Sequence, residues 1–286
     1  SAQEALDSLI PFSKVIPDLA SLQPDILLDK RYSVVERIGN PGSFAVAYKV
    51  FDYTSEDFQV MKIVVRDKYS LFERAQQEFR VLYSVLKNPH SHIVTVRWFG
   101  QLYEFDDTPF ILFEYVEGQD LEEVLASRKL SLEDSIEVVV QTTEGIAYLH
   151  ESNIYHQDIK PSNLLLTDQG IKIIDFNVSV TSSDESTITA GTRRYLPPGF
   201  KSAVAPSKAD RIDRDLYALG ITAYECITGQ YPFKAAQPVV DQECLDPTQV
   251  SGCEDIGEGL SQFLRRVIAP NRSDRFQSAQ ELLNAL

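Results

Sequence analysis

Three features of the 286-residue sequence predict an α+β chain folded as two lobes. The first hundred or so residues read as short strands around a single helix. After Gly118 helical periodicity dominates. A loop crowded with chemically capable side chains, His156 to Asn163, sits between a helix and a short hairpin in that second part. Segregated strands and helices, rather than alternating ones, are the mark of α+β, and two lobes imply a cleft between them.

The elements follow in order. Residues 1–30 form an extension. Its Ala2, Ala5, Leu6, Leu9 and Ile10 fall on one helical face, and Pro11 ends that helix. Val15, Ile16 and Leu19 keep the segment apolar, so it is expected to pack on the body. Strands are predicted at 32–38 and 45–52, flanking a turn at Gly39-Asn40-Pro41-Gly42, with a third at 59–65. Apolar residues at 71, 72, 75, 79, 82, 85 and 86 predict a helix over 71–86. Strands return at 94–99 and 110–115. Helices are predicted at 121–127, 132–152, 213–228, 259–268 and 278–286, with two short strands at 164–166 and 171–174 between them. The sequence shows neither an internal repeat nor a low-complexity tract.

Composition narrows the function. Apolar residues make up 43% and charged residues 24%, too apolar for a disordered chain. The net charge of −15 argues against nucleic acid as the main partner. No run of 18 uncharged apolar residues is present, so no membrane span is expected. The start lacks a basic stretch before an apolar run, unlike a signal peptide. Cys226, Cys244 and Cys253 form no Cys-x-x-Cys pair, and the four histidines have no metal-ligand spacing with them. A reducing, cytoplasmic setting is the expectation.

The chemistry concentrates in His156-Gln157-Asp158-Ile159-Lys160-Pro161-Ser162-Asn163. Asp175-Phe176-Asn177 begins twelve residues after Asn163, just past the second short strand. An acid, a lysine and an amide on one loop, with a second acid after a hairpin, can build a phosphoryl-transfer site. One carboxylate accepts a hydroxyl proton, the other acid and the amide oxygen ligate Mg²⁺, and the lysine neutralises the moving charge.

With these residues the chain resembles a protein kinase over about residues 31–286. The pattern His-x-Asp-x-Lys-Pro-x-Asn is that of Ser/Thr rather than Tyr kinases, because Lys160 stands two after Asp158. The start Asp29-Lys30-Arg31-Tyr32 resembles bacterial relatives of the eukaryotic kinases. The resemblance implies a small β-rich N-lobe with one main helix and hinge (31–116), and a larger helical C-lobe (117–286). It implies ATP and Mg²⁺ as cofactors, with Mn²⁺ able to take the same ligands. Gly39, Gly42 and Ala45 would line the loop over the phosphates, and Lys62 would hold the α/β-phosphates. Glu78, sixteen residues on, would pair with Lys62. Phe113 would be the gatekeeper of a hinge that includes Glu114 and Val116, with Ala47, Val60 and Leu165 also contacting the nucleotide. Asp158 would be the base, Lys160 its companion, and Asn163 and Asp175 the metal ligands. Thr192, in Gly191-Thr192-Arg193-Arg194-Tyr195, would face the substrate. Asp215 would anchor the catalytic loop from below, and Arg275 matches the late arginine of the helical lobe.

Four departures and one coupled exchange stand out. Gln157 replaces the arginine before the catalytic Asp, so no buried cation there demands a phosphate on the activation segment. That segment is therefore expected to hold its active shape unphosphorylated, with Arg193 or Arg194 as the alternative phosphate receivers. Asn177 replaces a glycine, and Asn tolerates left-handed backbone better than most residues. The phosphate loop carries an extra residue, has Ala45 for its third glycine, and is stiffened by Pro41. Pro197-Pro198-Gly199 lacks the glutamate that would pair with Arg275, so another group must satisfy that guanidinium or leave it exposed. Ala47 and Val60 exchange the usual Val and Ala over the adenine at constant volume, which retains the pocket.

The leading expectation is an active Ser/Thr protein kinase. A pseudokinase scaffold that holds nucleotide without turnover, and a small-molecule phosphotransferase of the same fold, stay open. Between Lys234 and Arg265 there is no Lys or Arg, while Asp241, Glu243, Asp246, Glu254, Asp255 and Glu258 lie in the interval. Such a one-signed stretch would draw a basic protein substrate; a solvated acidic loop is the plainer reading. The oligomeric state is not legible.

Overall fold

The structure is a computed structural model. It describes residues 18–39, 45–64, 83, 89–175, 193–200, 206–234, 242–253 and 256–286. Its described residues divide into two units, one of strands reaching Tyr115 and one that holds residues 89–96 and everything from Val116 on. The predicted helices at 2–10 and, apart from Tyr83, at 71–86 lie outside the described residues.

The first unit is a six-stranded sheet. Its strands are β1 (Leu27–Leu28), β2 (Tyr32–Ile38), β3 (Ala45–Asp52), β4 (Asp57–Val64), β5 (Val96–Leu102) and β6 (Thr108–Glu114), in the order β1-β2-β3-β4-β6-β5. Period-two alternation sorts side chains between its faces. Val46, Tyr48 and Val50 on β3, Met61 and Ile63 on β4, and Leu112 on β6 form one buried core. The end of the extension packs on that core through Leu22 and Leu28. The Tyr48 hydroxyl fixes it, donating to the Leu19 carbonyl and accepting from the Leu22 N–H, each at 3.0 Å. Strand β5 begins two residues later than the periodicity predicts. The Val94 N–H is already committed to the Ile173 carbonyl at 3.0 Å, and Ile93 bridges Ile173, so this stretch belongs to the second unit's hairpin.

The second unit holds β7 (Gln119–Asp120), α1 (Leu121–Ser127), α2 (Leu132–Glu151), β8 (Leu164–Thr167), β9 (Gly170–Ile173), α3 (Lys208–Thr228), α4 (Glu258–Val267) and α5 (Ala279–Leu283). Helix α3 runs through the middle of the core, burying Leu216, Tyr217, Ile221 and Tyr224 alongside Val139 and Ile146 of α2 and Leu264 and Val267 of α4. A Cβ at Gly220 would lie 2.7 Å from the Val267 and Ile268 side chains, so glycine is what permits the close approach there. Helix α3 starts at Lys208 rather than 213. A capping box is the reason: Ser207 Oγ accepts from the Asp210 N–H, and the Asp210 carboxylate accepts from the Ser207 N–H. That polar first turn carries no apolar period to announce it.

Two ion pairs, each with one buried partner, secure the units. In the first, the fully buried Asp52 carboxylate takes Arg31 in a fork, at 2.7 Å to Nε and 2.8 Å to Nη2, and also accepts from Thr54, Ser55 and Gln59. In the second, Arg275 is buried. Its Nη1 lies 3.0 Å from both oxygens of Asp213, its Nε donates to the Ala269 carbonyl at 2.6 Å, and its Nη2 donates to that of Pro270 at 2.7 Å. Its plane lies over the Tyr217 ring. Asp213 on α3 thus supplies the acid that the Pro197-Pro198-Gly199 stretch lacks, and the arginine is neither exposed nor orphaned.

Asp213→Ala is expected to lower the unfolding free energy by about 3–5 kcal/mol, because it leaves a buried guanidinium without its counter-charge. Urea titration with an unchanged slope tests it; a loss under about 1 kcal/mol would mean that the two carbonyls suffice. Burial pushes the Asp52 carboxyl up, but Arg31 and its other donors outweigh this and hold it down at about 2. A depressed folded-state value gives stability that is full above the unfolded value, near 4, and fades as pH falls through about 2. Between pH 5 and 2 the wild type is therefore expected to lose stability more steeply than Asp52→Asn; parallel slopes in that window would refute the assignment.

Candidate active site

In the second unit the sequence from His150 to Asp175 is drawn around one buried carboxylate, Asp215 of α3. Its Oδ2 accepts from His150 Nε2 and from the His156 N–H, each at 2.9 Å, and its Oδ1 accepts from the Gln157 N–H at 2.6 Å. Burial pushes the Asp215 carboxyl up, and the bonds from His150 and the Gln157 amide more than reverse this, so it stays below its ordinary value. The loop needs such a clamp, because Gln157 adopts φ +65°, a left-handed conformation costly for a side chain of its kind. The Gln157 amide donates to the Arg211 carbonyl at 2.9 Å and to Asp215 at 3.2 Å. His156 braces the loop through both ring nitrogens. Its Nδ1 faces the Asp158 N–H at 3.3 Å and its Nε2 faces the Ile174 carbonyl at 2.9 Å, which fits the neutral tautomer protonated on Nε2.

Asp158 is buried, and its two oxygens differ. Oδ2 accepts from Lys160 Nζ at 2.8 Å and from Asn163 Nδ2 at 3.0 Å. Oδ1 is buried with no hydrogen-bond partner. A buried, ionisable acceptor left open is costly unless a donor arrives, so Oδ1 is positioned to take one. Asn163 also donates to the Asp158 carbonyl at 2.7 Å. Its amide nitrogen is thereby committed to Asp158, and the amide oxygen is the atom that can meet a cation. Asp175 reaches the same end of the β8–β9 hairpin. Leu164 pairs with Ile173, and the Ile174 N–H donates to the Asn163 carbonyl at 2.9 Å, which sets Asp175 one residue beyond. Asp175 is exposed and also left-handed, at φ +55°. An amide oxygen and a carboxylate are hard oxygen donors, so the residues present fit Mg²⁺ or Mn²⁺.

The first unit gathers its predicted residues on the sheet face opposite its core. Ala47 of β3 pairs with Lys62 of β4, which pairs with Ile111 of β6; Val60 pairs with Phe113 one step along. Directly opposite residues share a face, so Ala45, Ala47, Val60, Lys62 and Phe113 line one surface. It is half-buried along β3 and β4 and buried at Phe113. Gly39 ends β2's turn side at φ +67°, where glycine is free to go. Glu114 closes β6, paired with Gln59 across the sheet, and Val116 opens the second unit. Leu165 lies on β8 opposite Asp120. Gly42, Glu78, Phe176, Asn177 and Thr192 lie outside the described residues.

Sequence reasoning passed over two acids on α3. Asp213 is one. The other is Glu225, which accepts from the Tyr195 hydroxyl at 2.8 Å and faces Arg194 Nη2 at 3.4 Å, while the Arg194 carbonyl accepts from Tyr231 at 2.8 Å. Burial raises the Glu225 carboxyl, opposed by Tyr195 and Arg194. The returning segment at 193–196 is therefore tied to α3. Two acids in a helix already bearing Asp215 were the available signal. In the acidic stretch, Glu243 faces Arg265 at 3.4 Å, Asp246 caps its own turn through Thr248, and Glu258 opens α4; Asp241, Glu254 and Asp255 lie outside the described residues.

Comparison with known proteins covers nearly the whole chain. A probable serine/threonine-protein kinase of Clostridium perfringens is 27% identical over 271 residues, 91% of this chain and 38% of that protein. The serine/threonine-protein kinase PrkC of Bacillus subtilis is 28% identical over 264 residues, 88% of this chain and 39% of that protein. The chain thus spans about two fifths of the length of these curated relatives. Among solved structures, the PknI kinase domain of Mycobacterium tuberculosis superposes with a TM-score of 0.70 at 22% identity, over 93% of this chain and 97% of that one. Rad53 residues 1–466, solved with AMP-PNP, gives 0.67 at 22% identity, over 90% and 65%. These likenesses establish the kinase fold. The protein kinase domain family itself matches residues 32–285, a run that takes in the strand unit, the Asp158 loop, the Asp175 hairpin end and the α3 anchor: the chain belongs to the protein kinase domain family.

Proposed function

We propose that this chain is an active Ser/Thr protein kinase that transfers the γ-phosphoryl group of ATP to protein hydroxyls. The observation that carries the reading is the asymmetry of Asp158: one oxygen is neutralised by Lys160 and Asn163, and the other is buried and open. Oδ1 accepts the proton of the incoming hydroxyl. Lys160, already beside that carboxylate, meets the charge that develops on the transferring group. Asn163 and Asp175 hold Mg²⁺, which when bound neutralises phosphate charge and orients the reacting phosphate. Lys62 takes the α/β-phosphates, with Glu78 as its partner. Ala47, Val60 and Phe113, on one face of the sheet, give the adenine an apolar surface. The relatives named as serine/threonine kinases favour this over a nucleotide-holding scaffold, and the AMP-PNP carried by Rad53 fits ATP as the nucleotide. Among the described residues no helix is long and apolar enough to cross a membrane. We place the activity in the cytoplasm, with a protein substrate.

Asp158→Asn is expected to abolish transfer while ATP still binds, because the change removes the base and its charge but none of the adenine contacts. Lys62→Met should cost orders of magnitude in the same assay. Radiolabelled ATP with a generic basic protein reads both, and a chain that never incorporates label, or is indifferent to both changes, is a scaffold. The substrate's charge is tested separately. Neutralising Glu254, Asp255 and Glu258 together should raise KM for a basic protein and leave KM for ATP alone. An unchanged protein KM at low salt would return the acidic stretch to a solvated loop.

A further inference from the structure

The strand unit carries a row of aromatic rings that its core does not use. Phe51 of β3 and Phe58 of β4 pair across the sheet on its half-buried face, one step beyond Lys49 and Val60. Their rings meet edge to face at 5.4 Å. Tyr53 extends the row at one end, 5.3 Å from Phe51, and Tyr115 at the other, 6.2 Å from Phe58. None of the four belongs to the buried core cluster of the unit, and Phe58 and Tyr53 are 39% and 61% exposed, so burial of the rings is not what the row supplies. A cation completes it. Lys49 Nζ lies 4.0 Å from the centre of the Tyr115 ring and 4.6 Å from that of Phe58. The Lys49 side chain is only 16% exposed, while the Glu36 carboxylate stands 4.0 Å away, past hydrogen-bond reach, and is largely in solvent. The two ring faces are therefore the main partners of this ammonium, and a cation drawn this far out of water gains more from them than one at the surface.

The place of Tyr115 in the chain gives this clamp its consequence. The strand register of β6 ends with Glu114 opposite Gln59, and Tyr115 is the last residue of the strand unit. Its ring holds the chain to β3 and β4 one residue past that last pair. Lys49 stands directly opposite Val60, and Val60 opposite Phe113, so the cation that holds Tyr115 is the next neighbour of the apolar surface given to the adenine. We propose that Lys49 is a positioning residue for the nucleotide: clamped between Phe58 and Tyr115, it fixes the end of β6 at Glu114 and Tyr115, where the backbone meets the edge of the base. Lys49 acts through Tyr115 and takes no part in the transfer step. A backbone fixed beforehand loses less freedom when the base binds, so the gain is expressed as affinity. This inference rests on the proposed ATP site, whose adenine surface ends at these residues.

The test separates positioning from catalysis and from stability. Equilibrium binding of AMP-PNP with Mg²⁺, steady-state transfer and Tm are measured for Lys49→Met, which keeps the stem and removes the charge, for Lys49→Arg, which keeps a cation over the rings, and for Tyr115→Leu. Lys49→Met should raise Kd for AMP-PNP and KM for ATP about tenfold. Its kcat and its KM for the protein substrate should stay within about twofold of wild type. Lys49→Arg should restore most of the lost affinity. Tyr115→Leu should match Lys49→Met, and the double variant should be no worse than either, because both changes remove one contact. An unchanged Kd in Lys49→Met, or losses that simply add in the double variant, overturns the proposal. A fall in Tm and kcat that accompanies the weaker binding and is not rescued by arginine also overturns it, and assigns Lys49 to stability alone. Binding that responds as expected in a chain that never incorporates label from ATP keeps the positioning role and removes the kinase reading. A chain that binds no AMP-PNP removes both.

Discussion

The Asp215 carboxylate is fully buried on α3, and it accepts two consecutive backbone N–H groups, those of His156 and Gln157, together with a ring nitrogen of His150. Everything the Asp158 loop does depends on that clamp. A residue at φ +65° does not hold its conformation unaided, and the next residue in the chain is Asp158. Remove the carboxylate and two buried amides lose their acceptor, a cost that falls on the segment whose geometry must be kept. The clamp works because α3 is the most buried helix of its unit and cannot shift without opening the core around it.

One helix also distributes the charges of that unit. Asp213 neutralises Arg275, Asp215 holds the loop, Glu225 ties down the returning segment through Tyr195 and Arg194, and Arg214 lies over the Phe200 ring with its buried Nε lacking a hydrogen-bond partner. Successive residues of a helix point about 100° apart, so neighbours in sequence serve different surroundings. Arg275 and Arg214 make the contrast plain. The first is buried with a carboxylate and two carbonyls, the second with an aromatic ring and an open Nε.

The strand unit follows another logic. Its sheet has one face given to the core and one left half-buried, and the residues assigned to nucleotide fall on the second. Alternation fixes this: Val46, Tyr48 and Val50 point inward, so Ala45 and Ala47 cannot. A small residue at Ala47 beside a branched one at Val60 keeps that face shallow enough for a flat ring system.

Strand and helix types and the order of motifs were set by the sequence alone, because period-two and helical patterns and the spacing from Asp158 to Asn163 to Asp175 are local properties of the chain. The strands 32–38 and 45–52 and the helix 121–127 could be read to the residue, since a turn or a cap bounds each. At two ends that were misread the deciding contact was distant or polar: Val94 answers to Ile173, and α3 begins at a capping box with no apolar period. Tertiary structure alone decided the pairing of charges. No spacing joins Asp213 to Arg275, Asp215 to the amides of 156 and 157, or leaves Arg214 open, because these depend on which face of α3 meets which loop. Burial then makes each placement consequential, since a charge out of water must find its partner in three dimensions.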